Sequence, residues 1–397
     1  EGTGTPATTK VAVVIPIPND PDWGLFDEVP LDVPIIVVDD SDGRLAPAPR
    51  ENVTFYDYAA QREFMGEHYP AIPHKSAATR NFGHYVAYQE GYDVVVALDY
   101  DCRTRPGWLA QHLSALSTVL DAPALAAEWV NSVDVAGWYA RGFPYEYRNS
   151  GYQPQVTTAS GDVKLNMGLW DNILDLNGVD KLVAEPPYGP HIPDAGGGLR
   201  VALGNIPVCG MNTSFRAELT PAYFFLPDVW VDGWQLSRHD DSWGGYIVKK
   251  LMDVRGDLFT FGNPVVEHTK QTRIERVVML EHWMHLMARE FFACVDAAVA
   301  DLKPAPYAQL FGEFTERYMS EVGRSPVRRP AGECFSPRRS VGSGQLDRRD
   351  RPERDRDLEL VGAFGAEVHL VGRDVGIPAG GNADDLALVG GGDADGA

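Results

Sequence analysis

The stretch Val94-Val95-Val96-Ala97-Leu98-Asp99-Tyr100-Asp101-Cys102 constrains this chain more than any other. Five apolar residues, three of them β-branched, read as a strand buried on both faces. The run stops at two acids separated by one residue. Side chains alternate along a strand, so the pattern predicts Asp99 and Asp101 on one side. In an open α/β sheet, ligands bind beyond the carboxyl ends of the strands. Two carboxylates there suit Mg²⁺ or Mn²⁺, which take oxygen ligands and share them with substrate phosphates. The plainer alternative is a polar strand end running into a turn.

The flanking chain supplies the rest of a sheet. Val11–Ile17 reads as a first buried strand, with Pro16 at its exit, and 34–38 as a second. The second ends in Asp39-Asp40-Ser41-Asp42-Gly43, a turn signal whose acids also suit contacts to a nucleoside. Val53–Tyr56 reads as a short third strand. Helices are predicted over 76–90, starting at Ser76, and over 106–120, with Pro106 in the first turn. Strand and helix alternate, which argues for a mostly parallel, doubly wound sheet. Residues 125–212, rich in Gly, Pro, Asn and aromatics, read as insertions over the strand ends. A helix over 240–254 with Asp240 or Asp241 as its cap, a strand over 258–261 and a long helix over 273–302 follow. His282 and His285 lie three apart on that helix, as a metal pair or, the commoner case, as surface or interface histidines. Beyond about residue 323, mixed-sign charge runs without apolar periodicity read as disorder. The expected organisation is an α/β ligand-binding domain over 10–270, a helical extension over 271–323 and a tail over 324–397.

Composition removes several function classes. A net charge of −21 over 397 residues is the wrong sign for nucleic-acid binding. No apolar run approaches membrane-spanning length and no secretory pattern opens the sequence, so a cytoplasmic protein is the default expectation. The four cysteines form no CxxC, which suggests neither a zinc ribbon nor a disulfide framework. No G-x-G-x-x-G follows a strand: Gly2-Thr3-Gly4 precedes the first one, and Gly196–Gly198 lies in a loop. A flavin is therefore not expected.

Five further stretches share a theme with the acidic pair. Arg141-Gly142-Phe143-Pro144 is followed by a second arginine, Arg148. Gly168-Leu169-Trp170, Cys209-Gly210-Met211-Asn212 and Arg238-His239-Asp240-Asp241-Ser242-Trp243 come next, and His268 follows Val265-Val266 at another strand end. With the Asp99–Cys102 strand, these motifs in this order resemble the reversibly glycosylated polypeptide family, whose plant members are UDP-arabinopyranose mutases. The likeness covers roughly residues 10–270. It departs at Tyr100, where plant members carry Asp. The resemblance implies a GT-A-like α/β fold, a UDP-sugar such as UDP-arabinose as ligand, and a Mn²⁺ or Mg²⁺ cofactor. Self-association into a homo-oligomer is compatible with it.

Residue roles follow partly from chemistry and partly from the resemblance. Asp101 and His268 are the expected metal ligands, because carboxylate and imidazole suit Mn²⁺ better than Ca²⁺. Asp99 is expected at the ribose or in the metal's outer shell. Asp39 and Asp40 are expected at the nucleoside, and Asn212 at the substrate. Arg80, at a helix start, reads as a bidentate phosphate clamp or as a surface salt bridge. Asp240 and Asp241 read as sugar-hydroxyl ligands or a base, or as helix caps. Trp170 and Trp243 read as sugar-packing rings or as core. The resemblance makes Arg141 the reversibly glycosylated residue and Arg148 a second required one. Guanidinium is a poor nucleophile at neutral pH, so both arginines also read as diphosphate ligands. The function expected is a metal-dependent UDP-sugar mutase interconverting pyranose and furanose forms. The alternatives are a transferase acting on a separate acceptor, and a non-enzymatic UDP-sugar-binding subunit.

Overall fold

The computed structural model describes residues 9–45, 50–133, 137–148, 151–172, 175–183, 198–231, 234–269 and 273–324. The expected tail beyond 324, Cys334 in it, and Gly196 and Gly197 lie outside the described residues.

Chain order runs β1 (Val11–Ile17), β2 (Ile35–Asp39), β3 (Val53–Tyr56), α1 (Tyr58–Met65), α2 (Arg80–Gln89), β4 (Val94–Leu98), β5 (Cys102–Arg103), α3 (Trp108–Ala115), β6 (Thr118–Ala126) and β7 (Gln155–Asn172). Then come α4 (Gly178–Val183), β8 (Arg200–Ala202), β9 (Asn212–Arg216), β10 (Val229–Val231), β11 (Trp234–Leu236), α5 (Asp240–Arg255), β12 (Leu258–His268), α6 (Ile274–Val299) and α7 (Tyr307–Arg324). The main sheet is ordered β3-β2-β1-β4-β9-β7-β6-β8-β12-β5, with β7 also paired to β12.

The N-terminal half of this sheet is parallel, β1 lying between β2 and β4. These valine- and isoleucine-rich runs are buried throughout, as strands covered on both faces must be. Helix α2 covers β1 and β2 at very close range: a Cβ on Gly83 would sit 2.5 Å from Val14 Cγ1 and 2.8 Å from Val38 Cγ2. That approach brings Arg80, the first residue of α2, to the carboxyl end of β4. From β9 onward the sheet is mixed, β9 running antiparallel to β4 with Asn212 opposite Leu98. The Cys209–Asn212 loop therefore arrives beside Asp99. The expected α/β class with flanking helices and a helical C-terminal region holds.

Several local expectations change. The helix after Pro106 ends at Ala115, and the β-favouring Thr118-Val119-Leu120 opens β6. Ser76 caps a single tight turn, its Oγ accepting from the Ala78 amide at 3.3 Å, and α2 begins only at Arg80. Pro16 lies within β1, opposite Val38. Residues 125–212 contain the 18-residue strand β7. Its first part, Thr157 to Gly161, is paired with β6 and largely exposed, so its polar sequence hides a strand.

Helices α6 and α7 pack on the sheet unit through one continuous apolar core. Trp243 of α5 stacks on Phe291 of α6 with centroids 4.1 Å apart, and α7 inserts Leu310, Phe311 and Phe314. No helix among the described residues is long and apolar enough to cross a membrane.

Candidate functional site

Strand β4 ends at Leu98, and the chain turns at once: the Cys102 amide donates to the Asp99 carbonyl at 3.1 Å. Strand alternation thus does not govern the two acids, and each meets its own partner. Asp99 Oδ1 accepts from Arg80 Nη2 at 2.7 Å. Asp101 is carried by the turn to β5, where Cys102 pairs with His268, the last residue of β12. The Thr269 amide and hydroxyl both donate to the Asp101 carbonyl, which clamps the turn against β12. Asp101 Oδ2 and His268 Nε2 are 3.9 Å apart. Two neighbouring ligands of an octahedral ion stand roughly 3 Å apart, from metal–oxygen distances near 2.1 Å. The pair therefore fits two positions of one divalent ion after a small movement. No group of three or more His, Cys, Asp or Glu placed to hold a metal ion by themselves occurs among the described residues. An ion here would draw its other ligands from phosphate and water, as Mg²⁺ commonly does.

The second part of the site is built around Arg141. Its turn is stapled to the end of β7: the Arg141 amide donates to the Asp175 carbonyl at 3.0 Å and the Gly142 amide to Asn177 Oδ1 at 2.9 Å. Gly142 has φ 86°, and a Cβ there would lie 2.8 Å from Ser242 Cβ, so only glycine lets the turn reach α5. Arg141 Nε donates to Asp175 Oδ2 at 2.8 Å. Nη1 donates to Asp241 Oδ1 at 2.7 Å and to the Arg238 carbonyl at 2.8 Å, and Nη2 to Asp241 Oδ2 at 2.6 Å. Burial alone would lower the pKa of Arg141, but Asp175 and Asp241 more than reverse this, holding it well above its usual value. Burial likewise works to raise Asp175, yet Arg141, Lys181 and Arg238 hold it well below the usual carboxylate range. Asp240, next to Asp241 at the start of α5, is pushed up to about 7 by burial and by the Asp241 charge.

One loop joins the two parts. Gly210 donates its amide to Asp241 Oδ2 at 2.9 Å and accepts at its carbonyl from Arg80 Nη1 at 2.9 Å. Cys209 Sγ contacts Asp175 Oδ2 at 3.5 Å, and the Met211 carbonyl accepts from the Asp99 amide at 2.9 Å. The charge at the end of β4 and the charge around Arg141 thus belong to one wall. Asp240 feels both arginines.

The other expected residues fall in different places. Asp39 and Asp40, at the end of β2, are buried; Asp39 Oδ1 accepts from the Ser41 amide, and Asp40 Oδ1 from Tyr58 and the Lys75 amide. Arg148 pairs with Asp180 of α4 and lies over the rings of Tyr139 and Tyr145, so its partners differ from those of Arg141. Asn212 accepts at Oδ1 from Trp108 and pairs there with His112, and donates at Nδ2 to the carbonyls of Leu169 and Pro264. It is fully buried, as are Trp170 and the stacked Trp243, so these three form framework and offer a ligand no surface in this arrangement. Asp241 caps nothing, because its oxygens face Arg141 and Gly210. His285 lies under the Tyr145 ring at 3.8 Å, and burial, with Arg148 and His282, pulls its pKa down to about 3.

Sequence reasoning missed Asp175, Asp180, Lys181 and Glu281. Lys181 Nζ lies 3.6 Å from Asp175 Oδ1, and Glu281 of α6 lies 3.6 Å from Arg238 Nε while accepting from the Gly178 amide. The sequence signal for Asp175 is weak: an acid five residues past Trp170 of the Gly168–Trp170 motif, beyond the end of β7.

Comparison with known proteins agrees with the residue pattern. The chain is 28% identical over 250 residues to UDP-arabinopyranose mutase 1 of Arabidopsis thaliana, covering 59% of this chain and 64% of that protein. It is 25% identical over 291 residues to probable UDP-arabinopyranose mutase 1 of Zea mays, covering 68% of this chain and 73% of that one. The chain thus spans less than two thirds of the length of the Arabidopsis relative. Among solved structures, glucosyl-3-phosphoglycerate synthase from Mycobacterium tuberculosis, in complex with Mn²⁺, UDP and phosphoglyceric acid, aligns over 71% of this chain and 79% of that one. The TM-score is 0.36 and the identity 12%. The model of one family, reversibly glycosylated polypeptide, matches residues 24–296, and the chain belongs to that family.

Proposed function

We propose that this protein is a UDP-sugar mutase that interconverts pyranose and furanose forms of a pentose such as arabinose. The observation that carries the reading is Gly210, which ties the Arg80–Asp99 pair to the Arg141–Asp241 pair through its two backbone groups. A diphosphate at the first pair and a sugar at the second would lie in one site. In this reading Asp101 and His268 hold a Mn²⁺ or Mg²⁺ ion, which neutralises diphosphate charge and makes UDP a better leaving group. Asp39 and Asp40 lie where a nucleoside would meet the end of β2. Asp240, with a pKa near neutrality, suits proton exchange with sugar hydroxyls during ring opening.

Reversible self-glycosylation belongs to the same proposal. Attack by Arg141 on the anomeric carbon forms an N–C bond as the C–O bond to UDP breaks, and UDP leaves with the electron pair. The guanidinium must give up a proton in that step. Asp241, bound to both Nη atoms, is the acceptor in reach. Its grip also makes Arg141 more basic, so proton loss has to accompany bond formation.

The test is to incubate the full chain with UDP-arabinopyranose and other UDP-sugars, with Mn²⁺ and with EDTA, and to separate ring forms by chromatography. Metal-dependent appearance of the furanose form is expected. Transfer of sugar to an added acceptor with no ring interconversion would establish the transferase instead. Arg141→Lys keeps a charge but loses the planar fork. It is expected to abolish both labelling by radiolabelled UDP-sugar and ring interconversion while UDP-sugar still binds. Peptide mapping that places the label elsewhere would remove the covalent role.

A further inference from the structure

Arginine offers five N–H donors. In Arg141, Nε faces Asp175, both hydrogens of Nη1 face Asp241 and the Arg238 carbonyl, and one hydrogen of Nη2 faces Asp241. Among the described residues the second Nη2 hydrogen meets no acceptor. Asp241 and the Arg238 carbonyl hold only the Nη end of the guanidinium and leave its Nε edge free to swing. Asp175 stops this, because it grips Arg141 twice: its carbonyl accepts from the Arg141 amide at 3.0 Å and its carboxylate from Nε at 2.8 Å. Asp175 is itself fixed, since its other oxygen faces Arg238 Nη2 at 3.2 Å and Lys181 Nζ at 3.6 Å.

We infer that Asp175 is a positioning residue for Arg141, locking the guanidinium so that it presents one N–H, on Nη2, to the sugar. The inference rests on the mutase reading and says which nitrogen of Arg141 meets the sugar. Asn at 175 keeps the shape but cannot serve both faces. If its oxygen takes the Arg141 Nε–H, its amide faces two cationic donors; if it is turned over, Nε loses its acceptor.

The experiment compares wild type with Asp175→Asn and Asp175→Glu, at a temperature where circular dichroism shows each variant folded. Turnover is measured beside UDP affinity and beside exchange of the Arg141 Nε–H by NMR of ¹⁵N-labelled protein. For Asp175→Asn, kcat is expected to fall by about 100-fold, the scale of a small misplacement at a reacting centre. KM and UDP affinity should change by less than about threefold, because only an interaction made during reaction is lost. The Nε–H, protected in wild type, should exchange faster in Asp175→Asn, where the amide holds it in only one strained orientation, and stay protected in Asp175→Glu, which retains the charge. An Asp175→Asn protein with unchanged turnover, or with Nε–H protection equal to wild type, would overturn the inference. If wild type itself interconverts no ring forms, the mutase reading falls. The exchange measurement then still decides whether Asp175 holds Arg141.

Discussion

Asp240 and Asp241 are neighbours in opposite electrostatic settings. Asp241 has two hydrogen bonds from Arg141 and one from Gly210, whereas burial and the Asp241 charge push Asp240 up to about 7. An unfolded aspartate titrates near 3.9. Between about pH 4 and 7 the folded chain therefore binds the extra proton at this site. The stability that Asp240 contributes is present in full below about pH 4 and is lost as pH rises through 7. Asp175, held low, acts in the opposite sense and weakens the fold only below about pH 4. Between pH 5 and 8 the melting temperature of wild type should thus fall relative to that of Asp240→Asn; a constant difference across the range would show that Asp240 is ionised throughout. The same substitution should remove any limb near pH 7 from the kcat/KM profile. Asp101→Ala should remove the Mn²⁺ dependence of UDP-sugar binding, leaving His268 as the sole strong donor of the pair. Calorimetry with and without EDTA reads this, and equal dependence in wild type and variant would refute the metal site.

At the scale of elements, the loop entering β9 and the first turn of α5 carry the arrangement. A Cβ on Gly210 would lie 2.4 Å from the ring of buried Phe225, which itself lies under Arg80 with its centroid 4.7 Å from the guanidinium carbon. Gly210→Ala should therefore cost about 1–3 kcal/mol, the range of overpacking, and displace Arg80 and Asp241 together. Denaturant unfolding and UDP affinity measure the two effects; a variant as stable as wild type with unchanged affinity would mean that the loop yields without strain. Helix α6 is anchored by Phe291 against Trp243. Phe291→Ala should destabilise by roughly 3–5 kcal/mol, since a buried ring leaves a cavity that helices fill poorly. A loss below 1 kcal/mol would show that α6 is held by its other contacts.

For the whole molecule, the family match over 24–296 reaches into α6, and Glu281 of α6 touches both Arg238 and the amide that opens α4. The helical extension is thus part of the wall behind Arg141. The sequence beyond Arg324 carries mixed-sign charge runs without apolar periodicity. Ending the protein there should leave the melting temperature within about 1 °C, less than the shift of roughly 1.5 °C that 1 kcal/mol produces in a domain of this size. A larger fall would mean that the segment packs on the core.

The sequence by itself determined the β1, β2, β3 and β4 strands and α2, α5 and α6, and it singles out Asp99, Asp101, Arg141, Asp240, Asp241 and His268 as candidates. Those signals are local: apolar runs, turn residues, and acids or basic groups at strand ends and helix starts. The long strand β7 was illegible because much of its first part pairs with β6 in solvent, where nothing demands apolar residues. Only the tertiary structure decided what each charge faces. Strand alternation predicts Asp99 and Asp101 as a pair, but the chain turns at Asp99 and sends them to Arg80 and His268. Asp175 and Glu281 reach the site across 34 residues from Arg141 and 43 from Arg238. No periodicity spans such distances. Partners for a buried arginine are chosen by desolvation, which only the packed chain imposes.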